Sequence, residues 1–217
     1  RDYEGGWTLD LSTEEILDLL KDVTDQVSSE LGFKVRIGLD IAASSLYNGE
    51  FYVYRNYSRD EHYKRLTQEG QIDYVLSLIE KYDLFYIEDP LHEDDFKGFA
   101  RLTSLAGKRC LIVGDDLTCT NPIYIRKAIK MKSINAAIIK PNQIGSLVKT
   151  KEVVDICNKN KIIPIISHRS QETLDASISH LAVAFNIPIF KCGIYGKERA
   201  AKIDELFKIE EEIKETS

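Results

Sequence analysis

Six short apolar runs, each ending in a charged or imidazole side chain, limit what this chain can fold into. They are 35–39 before Asp40, 84–87 before Glu88, 111–114 before Asp115, 136–139 before Lys140, 162–167 before His168 and 187–190 before Lys191. After a longer first gap, these ends recur about every 25 residues, the length of one strand–turn–helix unit. Near-continuous apolar strands alternating with helices are the pattern of a parallel sheet covered on its faces. The intervening segments have helical period: Ile72, Val75, Leu76 and Ile79 share one face, as do Ile203, Leu206, Phe207 and Ile209. Ser12 with Glu15, ahead of Ile16, Leu19 and Leu20, reads as a capping box opening a helix. Within the first gap, Asn48-Gly49 between aromatic-rich arms predicts a small hairpin over residues 47–54.

Two parallel architectures fit, a doubly wound open sheet and an eight-stranded barrel. An open nucleotide-binding sheet usually shows a glycine-rich phosphate loop, and neither G-x-G-x-x-G nor a Walker pattern occurs. A barrel gathers the C-terminal ends of its strands at one mouth. Strand ends bearing Asp, Glu, Asp, Lys, His and Lys suit that arrangement, so the barrel is the reading adopted. Only six strands are visible, which places at least two barrel strands ahead of Arg1. The first residue is not Met and the only methionine is Met131, so the chain reads as a processed chain or a fragment.

Composition excludes several classes. With 43% hydrophobic and 29% charged residues this is a globular sequence. A net charge of −6 argues against a nucleic-acid surface, which needs clustered Lys and Arg. No apolar run approaches the roughly 18–20 residues that cross a bilayer, and no signal peptide opens the chain. Four cysteines, Cys110, Cys119, Cys157 and Cys192, lie far apart without a C-x-x-C pair, as free thiols in a reducing cytoplasm would.

Asp40, Glu88 and Asp115 would repel one another in a shared mouth unless a cation neutralised them, and hard oxygen ligands select Mg²⁺, Mn²⁺ or Ca²⁺. The alternative is that each carboxylate caps the next helix. Lys140 and Lys191 inside such a mouth would serve as base or anion ligand, or pair with those carboxylates. His168-Arg169-Ser170 offers imidazole, guanidinium and hydroxyl to a phosphate or carboxylate; the alternative is a helix start at Ser170 with Glu172 near it. His62, His92 and His180 read as surface or packing residues.

These strings, in order, resemble enolase across essentially the whole chain. The stretches are Glu4-Gly5-Gly6, IGLDIAAS from Ile37, IEDPLHEDD from Ile87 and VGDDLTCTN from Val113. IKPNQIG from Ile139, SHRSQET from Ser167, Lys191-Cys192-Gly193 and Glu198-Arg199 follow. The resemblance implies an α/β fold, the C-terminal part (about six βα units) of an enolase-type TIM barrel. Residues 1–217 would form one partial barrel domain, with the N-terminal α+β domain and the first barrel strands absent. It implies Mg²⁺-dependent, reversible dehydration of 2-phosphoglycerate to phosphoenolpyruvate, a lyase of glycolysis, with this chain by itself incomplete for catalysis. Asp40, Glu88 and Asp115 match Mg²⁺ ligands, Lys140 the base and Glu4 the acid. Arg169 and Ser170 match a phosphate clamp, His168 a residue near the substrate and Lys191 a carboxylate contact. The implied setting is the cytoplasm, with a small-molecule substrate, no nucleic acid and no membrane; a homo-oligomer is compatible with it. The chain departs from the family pattern at Asp2-Tyr3, Pro141, Gln171 and Ile194-Tyr195. These departures keep open an enolase-like paralogue that binds a ligand or partner without turnover.

Overall fold

A computed structural model describes residues 6–216, an α/β chain in which strand and helix alternate. It divides into two compact units, one formed by Leu9–Leu117 with Lys127–Asn135, the other mainly by Thr118–Arg126 with Ala136–Ser217. Among the described residues no helix is long and apolar enough to cross a membrane.

The first unit holds α1 (Thr13–Leu31), β1 (Gly38–Asp40), a 3₁₀ turn (Ala43–Leu46), β2 (Tyr52–Tyr54) and β3 (Lys64–Leu66). It continues through α2 (Gln68–Tyr82), β4 (Tyr86–Glu88), α3 (Phe96–Ala106) and β5 (Leu111–Gly114). Strands β1, β4 and β5 are parallel neighbours, with Asp40 level with Glu88 and Glu88 level with Val113. All four residues of β5 are buried, the burial that a parallel strand covered on both faces requires. Helix α1 opens with the capping box that its sequence announces: the Ser12 hydroxyl accepts the Glu15 amide, and the Glu15 carboxylate accepts the Ser12 amide.

The hairpin expected over 47–54 is only partly present. Asn48 and Gly49 do make a turn, with the Asn48 carboxamide accepting the amides of Glu50 and Phe51, and Tyr47 bridges Tyr52. The antiparallel pair itself is β2 with β3, because Tyr52 and Tyr54 are buried and find their ladder partners in Lys64–Leu66. On α2 the inward face runs through Ile72, Val75, Leu78 and Ile79, and Leu76 lies at its margin.

Helix α4 (Pro122–Met131) is divided between the units. The second unit contains β6 (Ala136–Ile139), α5 (Pro141–Ile144), α6 (Leu147–Lys159), β7 (Ile163–Ser167), α7 (Ser177–Ala184), β8 (Ile189–Lys191) and α8 (Lys197–Thr216). Strands β6, β7 and β8 are again parallel neighbours, Ile139 standing level with Ile166 and Ser167 with Lys191. The apolar side of α8 does face inward, with Ile203, Leu206 and Ile209 half-buried; Phe207 at its edge is exposed, and the fully buried side chains on that side are Arg199 and Lys202.

One side chain ties the start of β5 to the chain that follows α4. Asn135 Oδ1 accepts the Ile112 amide at 2.7 Å, and its Nδ2 donates to the carbonyls of Gly107 at 2.9 Å and Cys110 at 3.0 Å. Its own amide donates to the Ile112 carbonyl, so Asn135 completes the pairing of a strand residue that is wholly buried. Asn135→Ala leaves the Ile112 N–H and two carbonyls unmatched, and should destabilise the intact protein by about 2–4 kcal/mol in urea unfolding. A loss below about 0.5 kcal/mol, the usual effect of a surface change, would show that water replaces these bonds.

Candidate functional site

In the first unit the parallel register aligns the strand-end carboxylates. Asp40 and Glu88 are level, and Asp115 lies two residues beyond Val113, the partner of Glu88. Level residues of adjacent parallel strands project to one side, as do residues two apart, so all three carboxylates share a face. Tyr86, two residues before Glu88, reports their proximity. Its hydroxyl donates to the Glu88 carboxylate, and burial together with the charges of Glu88, Asp40 and Asp115 raises it far above the ordinary phenol range. Gly38, the partner of Tyr86, leaves room for that ring, since a Cβ there would sit 3.1 Å from the Tyr86 Cβ.

Helix capping does not account for these carboxylates. The caps lie elsewhere: Thr67 for α2, Asp95 for α3, and Asn121, whose side chain accepts the Ile123 amide at the start of α4. Asp40 accepts the Ala42 amide, but the 3₁₀ turn that follows has no side-chain cap. Glu88 and Asp115 are buried, Asp40 exposed.

Asp89 was not singled out in the sequence, although the Glu88-Asp89 and Asp115-Asp116 doublets are visible there. Possible ligand atoms of Asp89, Asp115 and Asp116 lie within 4.8 Å of one another. The Asp89 oxygens, however, accept the amides of Asp115 at 3.0 Å and Asp116 at 2.8 Å, and burial raises its carboxyl to about 8. Asp89 therefore acts as a buried clamp on the backbone that presents Asp115. Its own backbone is left-handed, a strained conformation for a residue with a Cβ and one that the surrounding bonds must hold.

The second unit gathers the cationic strand ends. Lys140 follows directly on β6, one residue past the level of Ile166, which puts it beside Ser167 and in line with Lys191. Two features fix its backbone. Pro141 biases the preceding residue to the extended region that Lys140 adopts, and fits the first turn of α5. The Thr120 hydroxyl accepts the Lys140 amide at 2.9 Å and donates to Gln143 Oε1 at 3.0 Å. Thr120 is fully buried and, like Cys119, has a left-handed backbone, a local strain that aims its hydroxyl at the base of Lys140. No sequence signal marks that role.

His168, Arg169 and Ser170 lead out of β7 without starting a helix; α7 opens only at Ser177, whose amide is accepted by Asp175. The His168 amide donates to the Lys191 carbonyl at 3.0 Å. Arg169 Nη1 donates to Asn142 Oδ1 at 3.0 Å, and Asn142, Arg169, Ser170 and Gln171 line a polar pocket of about 440 Å³. Gln171 does not have a left-handed backbone, so a residue larger than Gly stands there without strain. Glu172 accepts the Arg169 amide at 2.7 Å and pairs with buried Lys202 at 2.9 Å. Burial raises the Glu172 carboxyl, but Lys202 and the amides of Arg169 and Thr173 outweigh it and hold the group below its ordinary value. Arg199 donates to the Ser170 carbonyl at 3.0 Å, and Gly193 clears its path, since a Cβ there would meet the Arg199 Cδ at 2.8 Å. Lys202 and Arg199 lie on the inward side of α8 that its apolar period marks, but no sequence signal shows that charged residues bury there.

His62 and His180 are exposed, His180 pairing with Glu205, and His92 packs on the Tyr47 ring. The four cysteines are free. Glu4 lies outside the described residues.

Residues 2–217 match the family described as the enolase C-terminal TIM barrel domain. The enolase of Methanothermobacter thermautotrophicus is 49% identical over 212 residues, 97% of this chain and 50% of that protein. The enolase of Picrophilus torridus is 45% identical over 210 residues, 97% and 51% of the two chains, and that of Archaeoglobus fulgidus 46% over 208, 96% and 50%. The chain thus spans about half the length of the curated relatives it matches. Family match and identity agree across both units: this chain belongs to the enolase C-terminal TIM-barrel family.

Proposed function

We propose that the protein containing this chain is a Mg²⁺-dependent hydro-lyase that interconverts 2-phosphoglycerate and phosphoenolpyruvate, a cytoplasmic step of glycolysis and gluconeogenesis. The observation that carries the reading is the set of three carboxylates, Asp40, Glu88 and Asp115, on one face of adjacent strand ends with no helix to cap. Their donors are all hard carboxylate oxygens and the charges of all three reach the Tyr86 hydroxyl, which fits a small divalent cation. The relatives are named enolase, which supports the choice of reaction.

A proton next to a carboxylate is very weakly acidic. Mg²⁺, when bound, supplies the positive charge that lowers this barrier, an arrangement general to the enolase superfamily. Lys140 takes the C2 proton, its backbone held by Thr120 and Pro141. Glu4 gives a proton to the C3 hydroxyl as it departs as water. Arg169 and Ser170 hold the phosphate, Lys191 the carboxylate, and His168 borders the substrate. A bidentate guanidinium–phosphate pair adds geometry as well as charge, the reason for Arg rather than Lys at 169.

A binding protein without turnover is the competing reading, motivated by Gln171 and Ile194-Tyr195. Gln171 is unstrained, and Ile194 and Tyr195 are 89% and 55% exposed, which supports a clamp that tolerates these departures.

The two readings separate in the full-length protein by exchange of the 2-phosphoglycerate C2 proton into deuterated water. Exchange should be Mg²⁺-dependent, and Lys140→Ala should slow it by about 10²–10⁴-fold, the usual contribution of a general base. Near-normal exchange in Lys140→Ala would remove the base from Lys140, and no exchange in the unaltered protein would favour binding without turnover.

A further inference from the structure

Segment 168–173, which carries the proposed phosphate clamp, has neither helix nor strand. It borders two open spaces, the polar pocket of about 440 Å³ and a cleft of about 630 Å³ that reaches Glu172, Thr173 and Lys202. Packing by itself therefore does little to fix where Arg169 points. Asn142 accepts a bond from the guanidinium, and the backbone beneath it is fixed from α8. The Lys202 side chain is 1% exposed, and its ammonium meets three acceptors: Glu172 Oε2 at 2.9 Å, the Thr173 carbonyl at 2.8 Å and the Glu198 carbonyl at 2.9 Å. A lysine ammonium has three N–H donors, so the buried charge is fully satisfied. Glu172, held in this way, accepts the Arg169 amide at 2.7 Å and the Thr173 amide at 3.2 Å. The Lys202 carbonyl in turn accepts the buried Ser179 hydroxyl at 2.7 Å, which ties α7 to the same point.

We propose that Lys202 is the positioning residue of the anion-binding segment: through Glu172 it sets the backbone of Arg169, and so the site's affinity for a phosphoryl group. This rests on the reading of Arg169 as the phosphate clamp. Lys202 touches no substrate. Its effect is to hold one peptide so that the guanidinium meets the phosphate without first paying the entropy of ordering a loop.

The test uses the full-length protein, with inorganic phosphate as probe followed by ³¹P NMR, alongside KM and kcat for 2-phosphoglycerate and thermal unfolding. Arg169→Gln is the reference. Lys202→Met should weaken phosphate binding and raise KM by roughly 10-fold each, the scale of one lost charge-assisted bond, with a smaller change in kcat. That single change also leaves the Glu172 charge buried without its partner, which can prevent folding. The double variant Lys202→Met with Glu172→Leu replaces the pair by apolar side chains and should recover stability. Its phosphate affinity should stay low, because nothing then accepts the Arg169 amide. Should neither Lys202 variant fold, Glu172→Gln keeps the size and an acceptor while breaking the ion pair, and should weaken phosphate binding by the same mechanism. A stable double variant with unaltered phosphate affinity and KM, or a Glu172→Gln protein with both unaltered, overturns the inference. Unchanged phosphate affinity in Arg169→Gln instead removes the clamp reading, and this inference with it.

Discussion

Parallel strands paired in register set their ends at one level, and in the first unit that geometry forces carboxylates together. Asp40 and Glu88 are paired directly, and Asp115 follows from the pairing of Glu88 with Val113. Two like charges about 4 Å apart repel by about 4 kcal/mol at an effective dielectric near 20, more than most single side chains contribute to stability. The surrounding residues help hold this arrangement in place. Tyr86 donates to Glu88, Asp89 fixes the amides of Asp115 and Asp116, and Thr67, Asp95 and Asn121 take over the capping that strand-end acids often perform. The proposed divalent cation would relieve that repulsion at the three strand ends.

The second unit solves the opposite electrostatic problem. Lys140, Arg169 and Lys191 end or follow strands, and two further cations, Arg199 and Lys202, are buried on α8. Burying an ammonium is costly unless every donor is met, and the three acceptors around Lys202 meet that condition. Both units place a buried polar group behind a strand-end residue, Asp89 behind Asp115 and Lys202 behind Arg169. Asp89 accepts backbone amides directly, and Lys202 acts through Glu172, which accepts the Arg169 amide, so the side chain in front has a fixed backbone origin.

The sequence made the strands and their end residues legible because fully buried parallel strands are continuous apolar runs. Residues 111–114 and 136–139 were bounded as the structure bounds them. The capping box at Ser12 was equally readable, since both of its bonds are local. On α8 periodicity found the inward side through Ile203, Leu206 and Ile209, but not the charged residues buried there, because Arg199 and Lys202 are held by polar partners that spacing does not reveal. The turn at Asn48-Gly49 was visible but its partner strand was not, because Lys64–Leu66 lies beyond a loop whose path local signals do not set. Asp89, Thr120, Tyr86 and Lys202 act through contacts with other elements or with backbone groups, for which residue type and spacing leave little trace. Residues at strand ends are therefore easier to recognise in such a chain than the residues that fix them.

The account stands or falls on the three carboxylates. Calorimetric titration of the full-length protein with Mg²⁺, with and without Asp115→Asn, tests them most directly. Loss of an outer partner of a metal site typically costs roughly 10–100-fold in affinity, and loss of a ligand should cost at least as much. The account predicts saturable Mg²⁺ binding by the unaltered protein and a loss of at least about 10-fold in Asp115→Asn, with the fold intact by circular dichroism. Equal Mg²⁺ affinity in the two proteins would contradict it.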